Sequence, residues 1–211
     1  MQDISIQKML DGFKNFRVKY FQKLDFYQQL RTTGQTPLNL IITCSDSRVD
    51  PSILFESNPG EIFVVRNVAN LVPPFEKGGG FHGVSAAIEF AVQILKIKNI
   101  IVLGHRQCGG LRALMDSQNA DPDSFVAQWM NIATKAKAKV LAEFPDVGFE
   151  NQCRHCEEEA IKVSIENLRS FPFISNKETT GQVKIWGLYF DLEMGQLNML
   201  SSQSKDFEKI I

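Results

Sequence analysis

The chain has 211 residues and a mass of 23.8 kDa, with 44% hydrophobic residues, enough to bury one full core in a single domain. A net charge of -1 and a pI near 6.3, with Lys and Arg spread along the chain, give no electrostatic footprint for nucleic acid or an anionic membrane. No run of 18 apolar residues and no apolar leader is visible, so the expected compartment is cytoplasmic, where four cysteines read as ligands or fillers before disulfides.

From about Ile4 to Leu30 the apolar positions Ile6, Met9, Leu10, Phe13, Phe16, Val18, Tyr20, Phe21, Leu24 and Phe26 follow helical spacing, with more apolar surface than one stripe needs. This arm, about residues 1–33, is expected to pack on a partner subunit, the same pattern also fitting an ordinary core helix. Gly34-Gln35-Thr36-Pro37 ends it, and Leu38 to Thr43 reads as a buried strand. Asp50-Pro51 starts a short helical stretch, and Glu61 to Arg66 is a second strand. After Pro73-Pro74 and Gly78-Gly79-Gly80, helical spacing runs from His82 to Leu95 and leads into a strand at Asn99 to Leu103. That strand, helix, strand crossover predicts an α/β fold: a mostly parallel β-sheet flanked by α-helices. Further helices are expected over Ser124 to Phe144 and Cys153 to Ser170, and a last strand over Gln182 to Phe190.

Two clusters begin where strands end. One is Cys44-Ser45-Asp46-Ser47-Arg48, the other Gly104-His105-Arg106-Gln107-Cys108-Gly109-Gly110. Neighbouring strands of a parallel sheet would bring Cys44, His105 and Cys108 into the crevice beyond their carboxyl ends. Two thiolates and one imidazole suit Zn²⁺, and three protein ligands leave the fourth position open, the pattern of a catalytic site. While the chain stays extended past Thr43, residues two apart share a face, so Asp46 and Arg48 are expected beside Cys44, the Arg fork holding the carboxylate. Cys153 and Cys156, within Cys-Arg-His-Cys, lack a second ligand pair and read as structural. His82 reads as a helix-capping or surface residue.

These residues resemble the β-class carbonic anhydrases over almost the whole chain. The agreeing blocks are Cys44 to Val49, Pro59-Gly60-Glu61, Val65 to Asn70, Ala86 to Val92 and Gly104 to Gly110. The resemblance implies reversible hydration of CO₂ to bicarbonate and a proton, with one Zn²⁺ per chain on Cys44, His105 and Cys108 and with Asp46 and Arg48 as the orienting pair. It also implies a homodimer, or a homotetramer as a dimer of dimers, with the site near the dimer interface. In the plant-like branch Gln35, Phe63, Val68 and the backbone N–H of Gly109 fall on substrate-pocket positions; Phe90 stands where many members carry Tyr. Another branch is regulated by bicarbonate through a Trp, an Arg and a Tyr, of which only Arg66 matches, Ile41 and Phe190 standing at the other places. Rival readings are hydrolysis of CS₂ or COS on the same scaffold, and a zinc-binding or thiol-redox module without turnover.

Overall fold

A computed structural model describes residues 4–22, 26–78, 80–116 and 121–211. The parts of the expected N-terminal helix at 23–25 and of the glycine loop at Gly79 lie outside the described residues. The chain divides into two compact units, Met1–Thr36 and Pro37–Ile211.

In the first unit the described part of the expected helical segment comprises α1 (Ile4–Phe16), running directly into a π-helical stretch at Arg17–Gln22, and α2 (Phe26–Thr33). Aromatic side chains of these segments pack on one another: the Phe21 and Tyr27 rings stack at 4.7 Å and Phe16 meets Tyr27 edge-on at 5.4 Å. Ile4, Met9, Leu10 and Phe13 of α1 stay exposed.

The second unit is built on a six-stranded sheet in the order β2-β1-β3-β4-β5-β6. Its strands are β1 (Asn39–Cys44), β2 (Ile62–Asn67), β3 (Asn99–His105), β4 (Lys184–Asp191), β5 (Gln196–Leu200) and β6 (Phe207–Lys209). The first four run parallel, and β5 and β6 are antiparallel additions. Leu40, Ile41, Ile42 and Thr43 are all buried, as a strand covered on both faces requires. The strand expected to be last is therefore followed by two more. Glu193-Met194-Gly195 closes the β4–β5 hairpin, and the half-buried mixed residues of β5 carry too weak an apolar signal to announce a strand.

Helices cover the sheet: α3 (Pro51–Leu54), α4 (Gly83–Glu89) with a π-helical turn at Phe90–Ile94, α5 (Gly109–Met115), α6 (Phe125–Met130), α7 (Thr134–Glu143), α8 (Phe149–Ser170) and α9 (Pro172–Thr179). The single helix expected over Ser124 to Phe144 is broken by a 3-10 turn at Asn131–Ala133. Of these, α8 matters most to the site. Its buried row, Cys153, Cys156, Glu157, Ala160, Ile161, Ser164, Ile165 and Leu168, is a helical stripe laid against β3 and β4. The approach is close because glycine meets it: a Cβ at Gly104 would stand 2.6 Å from Ile161 Cδ1, and one at Gly187 3.0 Å from Ile165 Cδ1. Full burial of Ile161 contributes roughly 2–3 kcal/mol. The same proximity carries Glu157 toward the carboxyl end of β3.

Candidate metal centre

The sheet order around β1 reverses between β1 and β3, and crevices for ligands open beyond the carboxyl ends of strands at such a switch. Thr43 pairs with Leu103, so Cys44 ends β1 next to Gly104 and His105. Cys108 follows one tight turn later, as the residue before α5.

His105 is fully buried, and its Nδ1 lies 2.8 Å from the carbonyl of Arg106. Donation of Nδ1–H to that oxygen fixes the tautomer and leaves Nε2 with a lone pair, and Nε2 is indeed buried without a hydrogen-bond partner. The Cys44 and Cys108 sulfurs lie 4.0 Å apart, and a ligand atom from each of Cys44, His105 and Cys108 falls within 4.8 Å of the others. Two thiolates on one tetrahedral zinc at about 2.3 Å stand about 3.8 Å apart, so the three residues fit that ion. The electrostatics agree. Donation from Cys108 lowers the pKa of Cys44, and the same contact together with burial pushes Cys108 far above the ordinary thiol range. One sulfur ionises readily and the second resists, a conflict that a divalent cation between them removes. Burial works against a charge on His105, but the Cys44 contact and the Arg106 carbonyl leave its pKa raised.

Asp46 and Arg48 meet beside these ligands, though by a different route from strand alternation. The chain turns after Asp46: Val49 N–H donates to the Asp46 carbonyl at 3.0 Å, and Arg48 N–H donates to Asp46 Oδ1 at 2.9 Å. Arg48 then folds back on the carboxylate, Nε to Oδ1 at 3.0 Å and Nη2 to Oδ2 at 2.7 Å. This fork holds the Asp46 pKa far below the usual carboxylate range. Asp46 Oδ2 reaches to 4.0 Å from His105 Nε2.

Sequence reasoning missed three supports. Arg66 donates to the carbonyls of Cys44, Asp46 and Val49 at 3.0, 2.7 and 3.0 Å and to Asp50 Oδ2 at 3.3 Å, stapling the whole loop after β1. The turn after β2 passes through left-handed Ala69 and Asn70, and this aims the Ala69 N–H at the Cys44 sulfur, 3.4 Å away. Glu157, 2% exposed, accepts from the Cys108 N–H at 2.9 Å and from the Tyr189 hydroxyl at 2.8 Å. Burial raises the Glu157 pKa to about 7 against these donors.

The remaining candidates are scattered. Gly109 adjoins Cys108, and a Cβ there would meet nothing within 4 Å, so space is open beside the ligand. Val68 borders the same turn, its Cγ1 only 2.7 Å from where a Gly110 Cβ would stand and its carbonyl bonded by Trp129 Nε1 at 2.8 Å. Phe63 lies four residues before Asn67, about 13 Å along β2 at ~3.3 Å per residue. It stacks on Phe90 at 6.0 Å and is not brought to the ligands of its own chain. Gln35 is exposed in the first unit. His82 precedes α4, its carbonyl accepting from the Ala86 N–H at 2.9 Å while its side chain makes no capping hydrogen bond.

The profile of the family described as Carbonic anhydrase matches residues 39–197. Beta carbonic anhydrase 3 of Arabidopsis thaliana is 34% identical over 198 residues, covering 92% of this chain and 76% of that protein. The chain belongs to the β-carbonic anhydrase family. Beta carbonic anhydrase 5, chloroplastic, of the same plant is 40% identical over 176 residues, 83% of this chain but only 58% of the relative's own length. Among solved structures, the β-carbonic anhydrase CcaA superposes with a TM-score of 0.91 at 31% identity, covering 99% of this chain and 93% of that one. A tetrameric β-carbonic anhydrase of Sordaria macrospora gives 0.83 at 26% identity, with 94% and 98% covered. The expected family and α/β fold are thus borne out.

Proposed function

We infer that this chain is a zinc carbonic anhydrase, converting CO₂ and water reversibly to bicarbonate and a proton. The observation that carries the reading is the convergence of two sulfurs and a free imidazole nitrogen with an Arg-held carboxylate at their side. Cys44, His105 and Cys108 would hold the ion, which when bound supplies the Lewis acidity that makes a nucleophile of water near neutral pH.

The other tasks belong to side chains. Asp46, kept ionised by Arg48, accepts a hydrogen bond from the attacking water and so directs its lone pair toward the electrophilic carbon. Because both Asp46 oxygens are held by Arg48, the carboxylate is restrained from turning toward the ligands itself. CO₂ is apolar and calls for a dry wall, a part suited to Val68, while the Gly109 N–H beside the open space suits the negative charge that develops on oxygen. Phe63 and Gln35 complete the proposal as pocket residues. Given its distance along β2 from its own ligands, Phe63 would serve the site of a second subunit.

We place the chain in a dimer or dimer of dimers. The exposed apolar residues Ile4, Met9 and Phe13 of α1, and Phe81 and Phe125 elsewhere, support self-association, as does the tetrameric relative. Cytoplasmic residence suits thiol ligands that must stay reduced.

Stopped-flow CO₂ hydration with zinc measured on the same sample tests the reading. The expected result is turnover with about one zinc per chain, and an Asp46→Asn variant that keeps its zinc but loses at least about 100-fold in kcat. Full zinc loading without turnover, or an Asp46→Asn enzyme as fast as the parent, would refute it.

A further inference from the structure

The peptide joining Gln107 to Cys108 is trans, so its carbonyl and its N–H point in opposite directions. The carbonyl accepts from Arg48 Nη2 at 3.1 Å, and the N–H donates to Glu157 Oε1 at 2.9 Å. One peptide unit is therefore gripped from both ends, by a guanidinium on the loop after β1 and a carboxylate on α8. The grip falls where the backbone needs holding. Gln107 has φ 59°, a left-handed conformation that costs a residue with a Cβ about 1–2 kcal/mol, and the residue that follows it is Cys108. The carboxylate is itself fixed: its second oxygen takes the hydroxyl of Tyr189, a fully buried residue of β4.

We propose that Glu157 is a positioning residue for the metal ligand Cys108, clamping the Gln107–Cys108 peptide with Arg48 so that the sulfur stays aimed at Cys44 and His105. This rests on the zinc reading above. What Glu157 supplies is a hydrogen-bond acceptor at one point. A rotation of the clamped peptide would move the Cys108 Cα and sulfur together and open the ligand triangle. A purely architectural Glu157 that only ties α8 to β4 would affect folding stability and leave metal affinity alone.

The experiment compares E157Q, which keeps an acceptor oxygen, with E157M, which fills similar space without one, in the full chain. Zinc affinity is read by competition with a chromophoric chelator, ligand geometry by the visible absorption of the cobalt-substituted protein, and folding by thermal unfolding. E157M is expected to bind zinc about 10–100-fold more weakly with altered cobalt bands, whereas E157Q stays within about threefold of the parent. Tyr189→Phe, which frees one end of the carboxylate, should speed zinc release by about 3–10-fold. Parental zinc affinity in E157M, or equal losses in E157M and E157Q, overturns the proposal. Should E157M fail to fold, an unchanged release rate in Tyr189→Phe overturns it. A parent chain that itself takes up no zinc sinks the metal reading instead, and is told apart because no variant is needed to see it.

Discussion

His105 and Cys108 are three residues apart, and so are Cys153 and Cys156, but the two pairs have different chemistry. Cys153 and Cys156 lie inside the regular helix α8, where an i, i+3 step sets both sulfurs on one face, against the apolar core. Burial raises their pKa values to about 11 and about 12, so both are inert thiols. His105 and Cys108 instead straddle a strand end and a left-handed turn, which points their donor atoms across to Cys44 on the neighbouring strand. Spacing supplies reach. The turn that bends the backbone, and the groups that hold it bent, turn reach into a ligand set.

The contrast can be broken at its strongest point with Cys108→Ser. Zinc content should fall from about one per chain to near zero, and activity should drop by more than about 100-fold, beyond what an orienting contact commands. Retention of zinc by atomic absorption would erase the distinction between the pairs. A sharper and smaller effect is expected in thiol labelling of the chelator-stripped protein at pH 7. Cys44, with its pKa lowered, is a thiolate there and its rate should stay flat from pH 6 to 9. Cys153, with its pKa raised to about 11, should react at least about tenfold more slowly at pH 7 and speed up about tenfold per pH unit. Peptide mapping by mass spectrometry reads both, and equal labelling would contradict the assignment. The smallest effect belongs to Cys153→Ala with Cys156→Ala: zinc and kcat unchanged, and a stability loss of about 1 kcal/mol per site, seen as a Tm lower by about 2–4 °C for each.

What the sequence disclosed follows the same division. The ligands were legible because each sits in a short local motif at the end of an unbroken apolar run, and runs such as Leu40 to Thr43 and Ile100 to Leu103 are what strands buried on both faces look like. Arg48 meets Asp46 through a turn at Asp46, where extended alternation was expected. Arg66 was noted only for its match to a regulated branch, and its staple on the loop after β1 was not legible because a side chain that bonds distant carbonyls leaves no periodic trace. Glu157 was within reach. It is the first of three consecutive glutamates, and the phase set by Cys153, Ala160, Ser164 and Leu168 puts it alone of the three squarely on the apolar stripe. A carboxylate in that stripe signals a waiting donor, and only the fold reveals that the donors are Cys108 and Tyr189. Strands β5 and β6 stayed hidden because they close an edge and bury too little to print a pattern.

Arg48 divides a single planar cation between two clients, the Asp46 carboxylate and the Gln107 carbonyl. A lysine ammonium, a point charge without the fork, can serve one of them but not both in plane. Damage at this position should therefore surface as slowed turnover and as leakage of the ion in the same variant, and neither symptom can be tuned while the other is spared.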